Sequence, residues 1–468
     1  MLIKWLAVLF GLVSFSSSWA LTSFTEQTQQ PCAACHLSFG ELTPYGRKFK
    51  LMGYASGKRV NPFNVNGTMA FTKISNTDSS VDPSVSLPKN GKVLPEELNV
   101  FAAGKITEQV GGNVKLTVNP VNTAPLFSTS GVQTGTKVGK DIYLDNSEIR
   151  FAQSAQLNNT PLVWGVTLNN APSTQDLWST TPGHGFPYRS SNLLNAWGMG
   201  QFGPDSMLDG GLNSQVLGVG MFVMLDDVWY AEFTSYRGTK TAIPALNVSG
   251  ALNNVSTNHN PYWRLAWNPV SGPQSWMIGT FGMVSKLSTD PLVTGSSSGK
   301  YTDIGVDAQY QFITPSHSWS AQATLIQEKV DWGASSVGIN HDVKISSLNT
   351  FKAKVTYDFA RTYGATWFGF ASNGSTDSLY WAYSATATTG ACNQNSSTLA
   401  YCSSNGMPNT AGQGFEIYYA PVPQLRINLQ QTYYRSFLGG RTFIDNTSGN
   451  SRAASDNNLT YLYATYSY

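Results

Sequence analysis

Charge is scarce in this sequence. Its 468 residues carry 29 Lys and Arg against 27 Asp and Glu, 12% of the chain, for a net charge of +2. That balance gives a polyanion nothing to hold, so nucleic acid is not an expected partner. Cysteine is scarcer, with four residues in two distant pairs, Cys32/Cys35 and Cys392/Cys402. Beyond the first twenty residues no apolar run is long enough for a transmembrane helix. Gly is plentiful at 43 residues, and Phe, Trp and Tyr together reach 12%. A polar chain rich in aromatics, without a spanning helix and too long for one typical globular domain, leaves two classes. One is a secreted all-β protein. The other is a membrane β-barrel, whose apolar residues alternate with polar ones and so never form a run.

The first twenty residues read as a secretory signal peptide. Lys4 gives a positive start, an apolar run follows from Trp5 to Val13, and Ser18-Trp19-Ala20 supplies the cleavage signal. The run is too short to cross a bilayer. Export makes a disulfide permissible for either cysteine pair.

Period-two alternation runs through the remainder. In Thr302 to Phe312, Ile304, Val306, Ala308, Tyr310 and Phe312 alternate with Asp303, Gly305, Asp307, Gln309 and Gln311. Phe351 to Phe359 and Leu425 to Tyr433 repeat the pattern. Such strands have one apolar and one polar face. About sixteen of these segments follow residue 65. Their centres lie near Phe71, Phe101, Leu116, Ile149, Trp164, Val219, Ala231, Leu265, Thr280, Val306, Ala323, Val355, Trp367, Ile417, Leu429 and Ala464. The connections alternate in length. Short ones include Leu225 to Val228, Ala360 to Tyr363 and Pro421 to Gln424. Long ones include Asn170 to Ser214, Ser372 to Gly412 and Leu438 to Asn457, rich in Ser, Asn, Thr and Gly and expected to be solvated loops.

An outer-membrane barrel requires that asymmetry and an even strand number, whereas a sandwich does not. The final segment, Tyr461 to Tyr468, ends on an aromatic and resembles the assembly signal of bacterial outer-membrane proteins. The expected fold is therefore all-β, a transmembrane antiparallel β-barrel of about sixteen strands, with outer-membrane lipid around it and its long loops extracellular. The polar faces, carrying Glu232, Arg264, Asp303, Asp307, Lys352, Lys354, Asp358 and Arg426, are expected to line the lumen. Cys392 and Cys402 fall in one long loop. A disulfide closing it is worth on the order of 3 kcal/mol by loop entropy.

Cys32-Ala33-Ala34-Cys35-His36 is a C-x-x-C-H motif, the attachment signature of c-type haem. Two thiols add to the haem vinyl groups, and the next residue, His36, is held beneath the iron as its axial ligand. A redox C-x-x-C would open a helix in a βαβ unit, and none follows. One covalent haem c is expected, on Cys32 and Cys35. For the sixth ligand the candidates are Met52, the nearest thioether, and His317, in a short turn. An open position is the third option, and a thioether would raise the potential. His184, His259 and His341 fall in long loops.

The chain thus divides into a signal peptide (1–20), a monohaem cytochrome segment (21–64), mostly helix and loop, and a barrel (65–468). About forty residues are too few to fold alone, so the haem segment is expected to plug the periplasmic mouth. Arg47, Lys48, Lys50, Lys58 and Arg59 make it basic, suited to haem propionates or to an acidic carrier.

Pro31 through His36, then Leu42-Thr43-Pro44-Tyr45-Gly46-Arg47-Lys48-Phe49-Lys50 and Gly53-Tyr54, resemble the fused monohaem cytochrome–porins of iron-oxidising bacteria. The matched functional residues are Cys32, Cys35 and His36. The resemblance implies an oxidoreductase that oxidises extracellular Fe(II) through the haem and passes electrons to a soluble periplasmic cytochrome. Alternatives are an electron conduit for other extracellular donors or acceptors, and a diffusion porin with a structural haem. The residues that would meet substrate iron are not identified by the sequence.

Overall fold

The computed structural model describes residues 22–38, 40–77, 89–127, 133–183, 186–193, 204–212, 215–239, 255–256, 258–288, 298–339, 341–382, 401–445 and 450–468. The signal segment, His184 and Cys392 lie outside them.

Sixteen antiparallel strands pair in chain order and close into a barrel. They are β1 (Phe63–Ile74), β2 (Lys92–Lys105), β3 (Val110–Phe127), β4 (Gln133–Leu157), β5 (Thr160–Asn169), β6 (Val216–Leu225), β7 (Trp229–Gly238) and β8 (Asn260–Trp267). The rest are β9 (Gln274–Ser288), β10 (Ser298–Ile313), β11 (His317–Asp331), β12 (Ile345–Phe359), β13 (Tyr363–Gly374), β14 (Thr410–Val422), β15 (Leu425–Ser436) and β16 (Leu459–Ser467). After a break at Asn268 and Pro269, Val270–Ser271 continues β8 along β9. Each of the sixteen centres read from the alternation falls in its own strand. The seam joins β16 to β1, with Leu462 opposite Phe71. Tyr468 and Val65 complete it by exchanging backbone hydrogen bonds of 2.8 and 2.9 Å.

The alternation also sets the faces. Met221 and Ile278 point outward and are 63% and 61% exposed, while Arg264 and Gln311 point inward at 0%. All eight charged residues expected on the lumen face are buried there. A ring of outward aromatics, including Trp229, Trp267, Trp319, Tyr363, Tyr419 and Tyr466, circles the end that carries the short turns. Such a girdle suits a membrane–water interface. Both ends of the described barrel lie at that same end, because the strand number is even. Its turns are tight, with left-handed pairs at Asn158/Asn159, Asp226/Asp227 and Ala360/Arg361.

Three long connections differ from the solvated loops expected. The connection after β5 folds inward and fills the lumen. Gln175, Asp176, Leu177, Trp178 and Thr180 are fully buried in it. The Trp178 indole donates to Asn268 at 2.8 Å, and its carbonyl accepts from Gln309 and Gln322. Arg264 pairs with both Asp307 and Asp176. Ser, Thr, Asn and Gln satisfy a polar lumen wall as well as they satisfy water, so composition does not separate the two. At the opposite end, Tyr401–Ser403, Thr442–Asp445 and Ser451–Ala453 form a three-stranded sheet over a core of Tyr401, Phe437 and Phe443. Cys402 lies in it, buried and disulfide-bonded.

Candidate functional site

Residues 22–38 and 40–62 enter the lumen at the short-turn end. They form α1 (Thr22–Thr28), α2 (Cys32–Cys35), a hairpin of His36–Ser38 with Glu41–Leu42, and α3 (Pro44–Leu51). Local sequence dictates each piece. Pro31 holds extended backbone at φ −66°, which starts α2. Thr43 caps α3 by accepting from the Gly46 amide at 3.1 Å, with Pro44 in the first turn, where a missing N–H costs nothing. Residues Gly53 and Tyr54, at φ 68° and 55°, end it. Phe24, Phe49 and Tyr54 form a small core with ring centroids 5.1 to 5.8 Å apart.

That core is too small to hold the segment together by itself, and the barrel wall supplies the rest. Arg47 donates to Gln309 at 3.0 Å, to Gln311 at 2.8 Å, to Ser275 and to the Leu42 carbonyl. Glu41 accepts from Gln311 and Ser320. Lys50 donates to the Thr174 and Asp176 carbonyls of the inward loop. Tyr54 donates to Glu148 at 2.9 Å, and Glu148 is itself paired with Arg150. Gln27 accepts from the Lys105 amide at 2.9 Å. Of the basic residues, Arg47 and Lys50 are thus spent on the wall and the loop, and Lys48 pairs with Asp227 at 2.7 Å. Lys58 and Arg59 are exposed.

A cavity of about 1170 Å³ runs beside this segment. Cys32, Cys35 and His36 line one part of it, and Trp332, Tyr380 and Trp381 line it near the long loops. Cys32 and Cys35 sit on one helical turn as thiols. Burial, and then the neighbouring Cys32, push the Cys35 thiol up to about 11. A dithiol redox centre needs the opposite shift. Burial lowers His36 to about 4, which leaves a neutral imidazole with a lone pair for a metal. Two adjacent thiols and a neutral imidazole facing one large cavity are the donor set a covalent haem needs, and the residues fit it.

The two sixth-ligand candidates are not brought to that cavity. Met52 caps the end of α3 and packs against the buried cluster that holds Trp178, its sulfur 3.9 Å from Ser154. His317 begins β11 on the outward face, stacked against Tyr357 and Phe359, with Nδ1 2.7 Å from the Tyr357 hydroxyl. The strand period turns it away from the lumen. Among the described residues no group of three or more His, Cys, Asp or Glu is arranged to hold a metal ion. Glu41, Tyr54, Gln309 and Gln311 act as fasteners that no local sequence signal announces.

No family model matches the sequence, and no curated protein does. Solved structures similar to the chain are outer-membrane barrels. OmpT, an outer membrane protein of Vibrio cholerae in its trimer form, is 10% identical over 87% of this chain and 98% of its own, with a TM-score of 0.41. The anion-selective porin from Comamonas acidovorans gives the same four figures. The outer membrane channel DcaP of Acinetobacter baumannii is 11% identical over 87% and 96%, with a TM-score of 0.40. The architecture rests on the strand pairing: a closed, sixteen-stranded, porin-like antiparallel barrel whose apolar outer face fits a bacterial outer membrane.

Proposed function

We propose that the chain is an outer-membrane electron-transfer protein, an oxidoreductase that takes one electron from extracellular Fe(II) through a single c-type haem and delivers it to a soluble periplasmic cytochrome. The observation that carries this reading is the C-x-x-C-H turn fastened inside a closed barrel and facing the lumen cavity. The choice of iron comes from the resemblance to cytochrome–porins. In this orientation the short turns and the haem segment are periplasmic, and the long loops face out.

The haem supplies a one-electron acceptor and donor. Cys32 and Cys35 would tether it, and His36 would offer its neutral imidazole to the iron. Arg47, Glu41, Lys50 and Tyr54 hold the segment in register with the wall. The inward loop excludes bulk water beside Trp178. Fe(II) gives up one electron and leaves as Fe(III) outside, and the carrier gains that electron on the other side. No acid, base or nucleophile takes part.

The lining of the cavity, which runs from Cys35 to Trp332 and Trp381 near the long loops, favours a second reading, a diffusion porin with a structural haem. Proteoliposomes loaded with oxidised soluble cytochrome and given external chelated Fe(II) separate the two. Reduction of the trapped cytochrome, lost in Cys32→Ala, supports electron transfer. A cytochrome that stays oxidised while small sugars cross supports the porin.

A further inference from the structure

We infer that Arg361, with Arg426 beside it, forms the propionate-binding end of the haem site. This rests on the haem reading proposed above. A haem carries two propionates, and a carboxylate taken out of bulk water needs a cation with hydrogen-bond donors to give. Most candidate cations are already committed. Arg47 and Lys50 are spent on the wall and inward loop, Lys115 is held by Asp145 at 2.7 Å, and Arg189 is in a tight pair with Glu97.

Arg361 differs. Its side chain lines the cavity that Cys32, Cys35 and His36 line. Its Nη1 is buried without a hydrogen-bond partner and stands 3.8 Å from Asp358 Oδ1, beyond hydrogen-bond range, while that oxygen accepts instead from the Arg361 backbone N–H at 3.0 Å. It also sits in a costly place. Ala360 and Arg361 have φ of 53° and 56°, in the turn closed by Thr362 N–H to Phe359 O. Asn and Asp fill the other two left-handed turns, and an Arg there is strained. Arg426 lines the same cavity, its guanidinium 3.6 Å from the Tyr418 ring centroid and 3.8 Å from Glu416.

The turn lies at the end of the barrel where the haem segment enters. Glu41, of the hairpin after His36, reaches Lys354 on the strand that leads into this turn, at 3.7 Å. The charged groups facing the pair are therefore Asp358, Glu41 and Glu416, with Lys354. All three ion pairs among them are slack, at 3.7 to 3.8 Å. Arg361 Nη1 is the donor left for an incoming carboxylate, and Arg426, whose Nε donates to Asn428 at 3.2 Å, adds positive charge beside it. Asp358 Oδ2, buried without a hydrogen-bond partner, would share a proton with a propionate held there and make the potential depend on pH.

The test is a redox titration of the haem-loaded protein from pH 5 to 9, for wild type, Arg361→Gln, Arg361→Lys and Arg361→Gln/Arg426→Gln. Haem stoichiometry comes from pyridine haemochrome spectra. Loss of a positive charge beside the haem favours the oxidised iron, and a propionate without its partner protonates at higher pH. The expected result is a lower midpoint potential in Arg361→Gln and an inflection moved to higher pH. The double variant shifts further, and Arg361→Lys shifts least. Haem-loaded variants that titrate as wild type overturn the inference. Should Arg361→Gln fail to assemble, Arg361→Lys decides by a smaller shift in the same direction. A wild type without covalent haem overturns the haem reading itself.

Discussion

Gly46 lies so close to Cys35 that a Cβ on it would stand 2.3 Å from the Cys35 carbonyl oxygen. The attachment turn and α3 cross backbone to backbone at this point. The contact sets where both thiols and His36 stand relative to the wall, because α3 is the element that Arg47 and Lys50 fasten. Gly46→Ala should leave the barrel assembled and reduce covalent haem several-fold, since the clash is with backbone and costs about 1–3 kcal/mol. Pyridine haemochrome absorbance per mole of folded barrel measures it, and a full complement of haem would count against the crossing.

Arg47 is the principal fastener of the segment. Hydrogen bonds to a charged group are worth roughly 1.5–3 kcal/mol each, and Arg47 makes several inside the lumen. Arg47→Ala should free the segment without opening the barrel. Limited proteolysis would then cut between Thr22 and Pro62, and single-channel conductance in planar bilayers should rise. Conductance equal to wild type would show that the segment is held by other contacts.

In protein prepared without haem, Cys35 should be slow to alkylate. The thiolate is the reactive form, and burial moves its pKa from 9.0 to about 11. At pH 8 that lowers the thiolate fraction about a hundredfold, so iodoacetamide labelling should climb only as the pH approaches 11. Rapid labelling at pH 8 would indicate a thiol exposed outside the lumen.

Tyr468 closes the seam through two backbone hydrogen bonds with Val65. Removing Tyr468 deletes both and takes an exposed ring from the interfacial girdle. The temperature at which the barrel loses its folded mobility on a gel should fall, with haem content per folded barrel unchanged.

The barrel was legible because its chemistry is periodic. Ile304 against Asp303, or Val355 against Lys354, reports a strand with a face on each side, and the alternating loop lengths report closure. The C-x-x-C-H turn was legible because Cys32, Cys35 and His36 fall within five consecutive residues. The fasteners were not, because they join residues far apart in the chain, from 94 positions for Tyr54 and Glu148 to 279 for Glu41 and Ser320: nothing near Arg47 announces Gln311, and nothing near Glu41 announces Ser320. The inward loop was hidden for another reason. Thr180, Gln175 and Asp176 would look the same in water, and only Trp178 hints at burial. His317 misled because a turn residue and a first strand residue differ by one position, and that position decides which face the ring takes.

The central claim is that Fe(II) reduces a haem held inside this barrel. Stopped-flow visible absorbance tests it most directly, with oxidised, detergent-solubilised protein mixed anaerobically with Fe(II). Rapid growth of the reduced haem c bands is expected, abolished in Cys32→Ala/Cys35→Ala. Full reduction by dithionite with none by Fe(II) would contradict it.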